Sequence, residues 1–194
     1  MAQPSSTPRM TEADYLAWES TQARRHEYVE GRVYAVHDEA EPAPADAADP
    51  RAAVALNLAA ALRAHLRGTA CRVHQGDMRL YLPGAAAYLY PDLVVSCPGA
   101  ARERRVPAAE PVFIADVLSP GAGSLYPGVR FTHYRGLPSL REYLLIDAHR
   151  RGIDLYRKGA DGLWALQQWV PGEAVPLASL DLRLPAAALF AGLP

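Results

Sequence analysis

One apolar stretch, residues 111–120, carries a carboxylate where a buried strand would not tolerate an unpaired charge. Its sequence is PVFIADVLSP, so Asp116 has apolar residues on both sides. Such a run is typical of a central strand covered on both faces. An ionised carboxylate in an apolar interior needs a partner, a metal or a raised pKa, so Asp116 either lines a cleft or is paired. The alternative is a structural strand-end aspartate that bonds the turn after it.

The composition describes one globular domain with little net charge. The chain has 194 residues, 50% of them hydrophobic, and its 20 basic residues nearly balance its 21 acidic ones. We predict a disordered leader over residues 1–10 and a single domain over residues 11–194. The net charge of −1 lacks the basic excess of many nucleic-acid binders, so any DNA contact depends on a local patch.

The sequence carries no pattern of export or membrane insertion. No stretch approaches the roughly 18 apolar residues that span a bilayer, and the N-terminus does not resemble a signal peptide. We therefore expect a cytoplasmic protein without membrane contact. The two cysteines, Cys71 and Cys97, have no close Cys or His neighbours, which favours buried thiols in a reducing compartment over a zinc site.

Periodicity and capping signals predict the helices. Thr11 and Asp14 form a variant capping box that begins a short first helix. Apolar residues recur every four positions over residues 52–67, and Gly68 follows as a stop signal, which predicts a long helix. A further short helix is expected over residues 129–136.

Alternating and apolar runs predict the strands. The period of two over residues 26–36 places Glu27 on the more apolar face, so Glu27 is a candidate site residue, with a solvent-exposed strand entry as the alternative. Pro91 cannot donate to a ladder and should begin a strand, which leaves Asp92 at its mouth. Further strands are expected over residues 71–82, 87–97, 142–147, 152–158 and 163–170, and a short strand and helix over residues 177–194.

Other charged positions have weaker claims to a function. Asp77 is a weaker candidate site residue, and a salt bridge to Arg79 or Arg72 is the favoured explanation for its charge. The acidic segment over residues 38–50 contains no basic residue and would repel a polyanion. The basic residues around positions 102–105 are typical of a solvated surface, and no complete glycine fingerprint, G-x-S-x-G or H-E-x-x-H motif is present.

Five segments of the chain carry a family pattern: RHEYVEGRVY at residues 25–34, DMRL at 77–80, YPDLVV at 90–95, DVLSP at 116–120 and HYRGLPSLREYLLID at 133–147. Together they resemble a bacterial family of restriction-endonuclease-like proteins that has the PD-(D/E)XK nuclease fold. The resemblance covers residues 11–190. The resemblance implies an α+β fold, with a central mixed β-sheet flanked by helices and added antiparallel hairpins toward the C-terminus.

The resemblance also implies a chemistry for the acids. Asp92 and Asp116 match the two acids that hold Mg²⁺ at adjacent strand ends in this fold, where the ion polarises the scissile phosphate and activates water. They are therefore expected on neighbouring central strands. Glu27 matches a third acid that would complete the metal shell or orient a water. Whether Asp77 or Glu30 joins the site is open.

The chain departs from the family pattern at its basic residue. Asp116 stands where the family usually has a glutamate, a change that the motif allows. Arg130 stands where a helix-borne lysine is usual, and a histidine before the long helix is replaced by Arg51 or the acidic segment. An arginine stays protonated and cannot act as a base, although it can hold a phosphate in a bidentate fork.

Two functions follow from this comparison of residues. The first is a Mg²⁺-dependent endonuclease that hydrolyses DNA, with Asp92 and Asp116 on the metal, Glu27 in support and Arg130 stabilising transition-state charge. The second is a catalytically degraded relative that keeps the fold as a binding or scaffold protein. A homodimer is expected because cleavage of a duplex needs two sites. We also expect that Asp116→Ala destabilises the domain little or stabilises it, because clustered acids repel one another in the absence of metal.

Overall fold

The computed structural model describes residues 9–36, 49–76, 78–97, 110–118, 127–170 and 172–193. In this part of the chain the helices are α1 (Glu12–Glu19), α2 (Pro50–His65), α3 (Pro127–Tyr134) and α4 (Ala186–Leu189). The strands are β1 (His26–Val29), β2 (Arg32–Ala35), β3 (Arg72–Gln75), β4 (Leu80–Leu82), β5 (Ala87–Leu89), β6 (Leu93–Ser96), β7 (Pro111–Leu118), β8 (Glu142–Asp147), β9 (Gly152–Lys158), β10 (Trp164–Trp169), β11 (Ala174–Leu177) and β12 (Leu182–Pro185).

A six-stranded mixed sheet forms the centre of the molecule, in the order β10-β9-β8-β7-β6-β3. Strands β7 and β8 pair in parallel, because the chain between them crosses over through α3. The other neighbours in this sheet are antiparallel. The mixed sheet flanked by helices confirms the predicted α+β class, and β7 is the buried central strand that the apolar run predicted.

Each face of the central sheet is covered by a different layer. Side chains on one face, such as Phe113, pack with α2, α4 and the β11–β12 hairpin in one hydrophobic cluster. Side chains on the opposite face, such as Ile114, pack with α3 and with a second sheet of order β2-β1-β5-β4. Asp116 shares the second face, because alternate residues of a strand point the same way. It therefore points into the space between the two sheets.

The predicted helices are confirmed, with small shifts at their ends. In α1 the Thr11 side chain accepts from the Asp14 backbone, and Asp14 accepts from the Thr11 backbone, which is the expected capping box. The long helix begins at Pro50, two residues before the predicted start, because Asp49 caps it and proline suits the first turn.

The single strand predicted over residues 26–36 is wrong, because this segment is the β1–β2 hairpin. Glu30 and Gly31 form its tight turn with φ angles of 48° and 87°. This geometry is typical of a two-residue hairpin turn. Glu30 is exposed in that turn, whereas Glu27 lies in β1 and is buried.

The two predicted strands over residues 71–82 and 87–97 are each divided. The first becomes β3 in the central sheet and β4 in the second sheet, and the next becomes β5 and β6 in the same way. Pro91 lies at the second break, between β5 and β6. Proline has no N–H to donate to a β-ladder, so the pairing of β5 ends before this residue and β6 begins after it.

The expectation of free cysteine thiols is wrong. Cys71 and Cys97 form a disulfide between residues 26 positions apart. They follow the register in which Arg72 of β3 pairs with Ser96 of β6, so they face each other one step beyond the ladder. The sequence did not show that these two strands pair in antiparallel register, and this pairing brings the two sulfur atoms together.

Several predictions fall on residues outside the described ranges. These include most of the leader and the acidic segment, the position of Asp77, and the basic residues at 102–105. Met10, the last residue of the expected leader, donates its N–H to the Gly31 carbonyl at 2.9 Å. None of the helices described here is long and apolar enough to cross a membrane.

Candidate functional site

The pairing of β6 with β7 brings two acids together. Leu93 of β6 pairs with Ala115 of β7 in antiparallel register, which places Asp92 beside Asp116. The Asp92 backbone N–H donates to Asp116 Oδ1 at 3.3 Å. The prediction that these acids lie on neighbouring central strands is confirmed.

Glu27 reaches the same place from the second sheet. It lies in β1, with no exposed surface, and its Oε1 accepts from the Tyr90 backbone N–H at 2.9 Å. Its Oε2 is buried without a hydrogen-bond partner in the described part of the chain. The interpretation of Glu27 as a strand-entry residue in solvent is therefore wrong.

Arg130 of α3 lies between Glu27 and Asp116. Its Nη1 donates to Glu27 Oε1 at 2.7 Å and its Nε to Asp116 Oδ2 at 2.9 Å. Only 6% of the residue is exposed. The guanidinium is thus a buried bridge between the carboxylates of the two sheets.

The remaining nitrogen of Arg130 is also bonded inside the protein. Its Nη2 donates to the Tyr90 carbonyl at 3.0 Å, to Asp116 Oδ1 at 3.2 Å and to the Tyr134 hydroxyl at 3.1 Å. The Tyr143 hydroxyl donates to Asp116 Oδ2 at 2.9 Å. Every nitrogen of Arg130 therefore has an internal acceptor, so the guanidinium is not presented to solvent.

A second arginine holds Asp92. Arg51, in the first turn of α2, donates from Nη2 to Asp92 Oδ1 at 2.5 Å and from Nε to the Val117 carbonyl at 3.0 Å. The Val117 N–H donates to Asp92 Oδ2 at 2.7 Å. The Asp92 side chain is 14% exposed. We call Glu27, Asp92, Asp116, Arg51 and Arg130 the acid–arginine cluster.

Burial and charge act in opposite directions on the protonation of this cluster. Burial raises the pKa of Glu27 above its usual range, although Arg130 and the Tyr90 N–H lower it. Burial also raises the pKa of Asp92 to about 6, against the lowering effect of Arg51. Burial lowers the pKa of Arg130, but the charges of Asp116 and Glu27 raise it by more. The net pKa of Arg130 lies well above its usual value. Arg130 is accordingly a permanent cation.

The cluster does not fit the divalent cation that the resemblance implies. Carboxylate oxygens are the donors that Mg²⁺ prefers, but the oxygens of Asp92 and Asp116 already accept from arginine, tyrosine or backbone donors. In the described ranges, no group of three or more His, Cys, Asp or Glu residues could hold a metal. Three carboxylates and two guanidinium groups leave at most one negative charge, and a divalent ion would be repelled by the adjacent arginines.

The structure brings together the four residues that the sequence assigned to the site: Glu27, Asp92, Asp116 and Arg130. Glu30 lies outside the cluster in its exposed turn, and Asp77 lies outside the described residues. Arg51 was noted in the sequence but given no role. Sequence reasoning missed the tyrosines at positions 90, 134 and 143. The spacing of Arg130 and Tyr134, four residues apart on one helix face, could have indicated one of these contacts.

Comparison with known proteins finds similarities to a family, to individual proteins and to a solved structure. Residues 12–187 match the model of the family Uma2, described as "Putative restriction endonuclease". Two uncharacterised proteins of Synechocystis sp. are 27% and 28% identical to this chain over 96% and 84% of its length, and over 94% and 89% of their own. A crystal structure of a "putative nuclease belonging to DUF820" from Anabaena variabilis has a TM-score of 0.69 at 18% identity, covering 93% of this chain and 97% of the other.

Proposed function

This chain belongs to the Uma2 family of restriction-endonuclease-like proteins, and from that premise we propose that it is a non-hydrolysing member that keeps the nuclease fold as a binding or scaffold protein. One observation carries the proposal. The Arg130 guanidinium lies between Asp116 and Glu27, and its Nε and Nη1 donate to these two carboxylates. An arginine in this place supplies the positive charge that a metal would otherwise bring.

The burial of Arg130 also argues against a catalytic part for it. A residue that stabilises charge on a phosphate must present its donors to the substrate. The donors of Arg130 are bonded inside the protein, and 6% of the residue is exposed. We therefore propose a structural role for Arg130 in place of the transition-state stabilisation that the sequence led us to expect.

Hydrolysis of DNA with Mg²⁺ is the second candidate function. It is favoured by the juxtaposition of Asp92 and Asp116 on adjacent strands and by the buried Glu27 Oε2, which has no partner among the described residues. The family description supports the same candidate. Hydrolysis with Mg²⁺ requires that Arg130 leave its present position, because Arg130 otherwise neutralises the acids.

A nicking assay separates the two candidates. Supercoiled plasmid is incubated at low salt, where phosphate contacts are strongest, with Mg²⁺ or Mn²⁺ and with the wild type, Arg130→Lys or Asp116→Asn. We expect no nicking by the wild type. A gain of nicking in Arg130→Lys would support the proposal, because lysine is shorter and makes fewer simultaneous bonds to the acids. Arg135→Lys, at an exposed arginine just after α3, is the matched control.

Binding is measured separately from cleavage. Fluorescence anisotropy of a labelled duplex should show salt-dependent binding by the wild type, unchanged by Asp116→Asn. Metal-dependent nicking by the wild type that Asp116→Asn abolishes would overturn the proposal and establish the second candidate. An absence of DNA binding at low salt would exclude DNA as the partner of this protein.

A further inference from the structure

The strand β10 forms one edge of the central sheet. It pairs with β9 on one side, and no strand in the described part of the chain pairs with its other side. An edge of this kind presents a row of backbone N–H and C=O groups that can accept another strand. The edge is six residues long, from Trp164 to Trp169, which is sufficient for a complete ladder.

The side chains of this edge lack the features that usually prevent pairing. Residues 163–170 read LWALQQWV, with no charged residue and no proline. Proteins commonly protect an exposed edge with charges, prolines or bulges. Leu163, Leu166 and Val170 are 71%, 48% and 60% exposed. Apolar side chains therefore lie in solvent at the centre of the edge and at both of its ends.

We propose that β10 is the interface through which two copies of this chain form an antiparallel dimer with a continuous twelve-stranded sheet. The partner is a second copy because an antiparallel edge paired with itself satisfies two-fold symmetry, in which the same patch serves both subunits. An uncharged edge also meets its own copy without repulsion. This interface goes beyond the proposed function and does not depend on it.

Strand geometry fixes which registers are possible. A two-fold axis perpendicular to the sheet keeps each side chain on its own face, so opposed residues must be an even number of positions apart. One such register places Leu166 opposite Leu166 of the second copy and Trp164 opposite Gln168. Trp164 is held on that face by Phe131 of α3, with ring centroids 5.4 Å apart. The register therefore buries Leu166 at the symmetry axis beside an ordered aromatic group.

The first test is the mass of the full chain in solution. The edge is short, so we expect a dissociation constant on the order of 10 μM, typical of a small interface. Light scattering across a concentration series should show the wild type changing from monomer to dimer. Leu166→Lys should weaken the dimer about tenfold or more, because a charge at the axis meets a like charge. Leu56→Lys, at a 61% exposed leucine on α2, should leave it unchanged.

Cross-linking provides a measurement that does not depend on a destabilising change. The native cysteines are bonded to each other, so the thiol of Leu166→Cys is the one available for oxidation. Directly opposed residues of antiparallel strands are close enough for a disulfide. We expect a covalent dimer in Leu166→Cys and none in Leu56→Cys. A wild type that stays monomeric at about 100 μM, or equal cross-linking of both variants, would overturn the proposal.

Discussion

Replacing Arg130 by methionine would remove a buried guanidinium while keeping much of its volume. Glu27 and Asp116 would then be buried together without their shared cation. Breaking a buried pair in this way costs about 3–5 kcal/mol. We expect a loss of that size in urea unfolding. Arg135→Met, at an exposed site, should change stability by less than about 0.5 kcal/mol.

The same contacts reverse an expectation drawn from the sequence. Asp116→Ala was expected to destabilise the domain little or to stabilise it, because clustered acids repel one another. In the structure Asp116 accepts from Arg130, from Tyr143 and from the Asp92 backbone, so its removal leaves three donors without an acceptor. We now expect Asp116→Ala to be destabilising by about 3 kcal/mol or more. A melting temperature equal to that of the wild type would show that repulsion within the cluster dominates.

Asp92 makes stability depend on pH. Its pKa is raised from 3.8 to about 6 in the folded protein, so between these values the folded state binds more protons than the unfolded state. The contribution of Asp92 to the free energy of unfolding is therefore fully present below pH 3.8 and is lost as pH rises through about 6. Relative to Asp92→Asn, the wild type should lose up to about 3 kcal/mol between pH 4 and pH 7. A constant difference between the two proteins across this range would contradict the assignment.

The residues of the site differ in how far the sequence could reveal them. Asp116 and Glu27 were recognisable because a carboxylate in an apolar pattern stands out from its neighbours. Arg51 and the tyrosines could not be assigned in this way. Arg51 contacts Asp92 across 41 positions, and arginine and tyrosine are ordinary residues in their own helices and strands. Their role follows from tertiary contacts, which local periodicity does not contain.

Among the elements, the β3–β6 ladder is fastened at one end by the Cys71–Cys97 disulfide. A bond that closes a loop of 26 residues is expected to stabilise the chain by about 3.5 kcal/mol through the entropy of the unfolded state. Reduction of the wild type should lower the melting temperature to that of Cys71→Ala/Cys97→Ala, which should itself not respond to reductant. Labelling of two thiols in the folded, unreduced protein would contradict the disulfide.

Element boundaries were predictable where a local signal existed. The caps of α1 and α2 and the apolar run of β7 are recorded in neighbouring residues, so their prediction was close. The division of residues 71–82 and 87–97 between two sheets was not predictable. Strand β5 pairs with β1, where Tyr28 is opposite Tyr88. The hydrophobic pattern of neither strand indicates a partner 60 positions away. The hairpin turn was missed because Glu30 occupies a left-handed position that usually belongs to glycine or asparagine.

For the molecule as a whole, the acid–arginine cluster predicts indifference to divalent cations. A ligand raises stability by an amount set by its concentration relative to its dissociation constant. We expect about 10 mM Mg²⁺ to shift the melting temperature of the wild type by less than about 1 °C. Arg130→Gln, which removes the central cation, should gain a shift upward with Mg²⁺. A clear upward shift for the wild type, abolished by Asp92→Asn, would instead indicate a metal site.

The parallel pairing of β7 and β8 across α3 has a consequence for the order in which the molecule folds. Arg130 lies in this crossover and contacts Glu27 at a separation of 103 residues, so the chain must close a long loop before that contact forms. Contacts of such high sequence separation slow folding because loop entropy is lost before they contribute energy. If the guanidinium enters its place after the transition state, Arg130→Met will accelerate unfolding and leave the refolding rate almost unchanged. Stopped-flow measurements of both rates would then show whether the two sheets pack around Arg130 before or after the transition state.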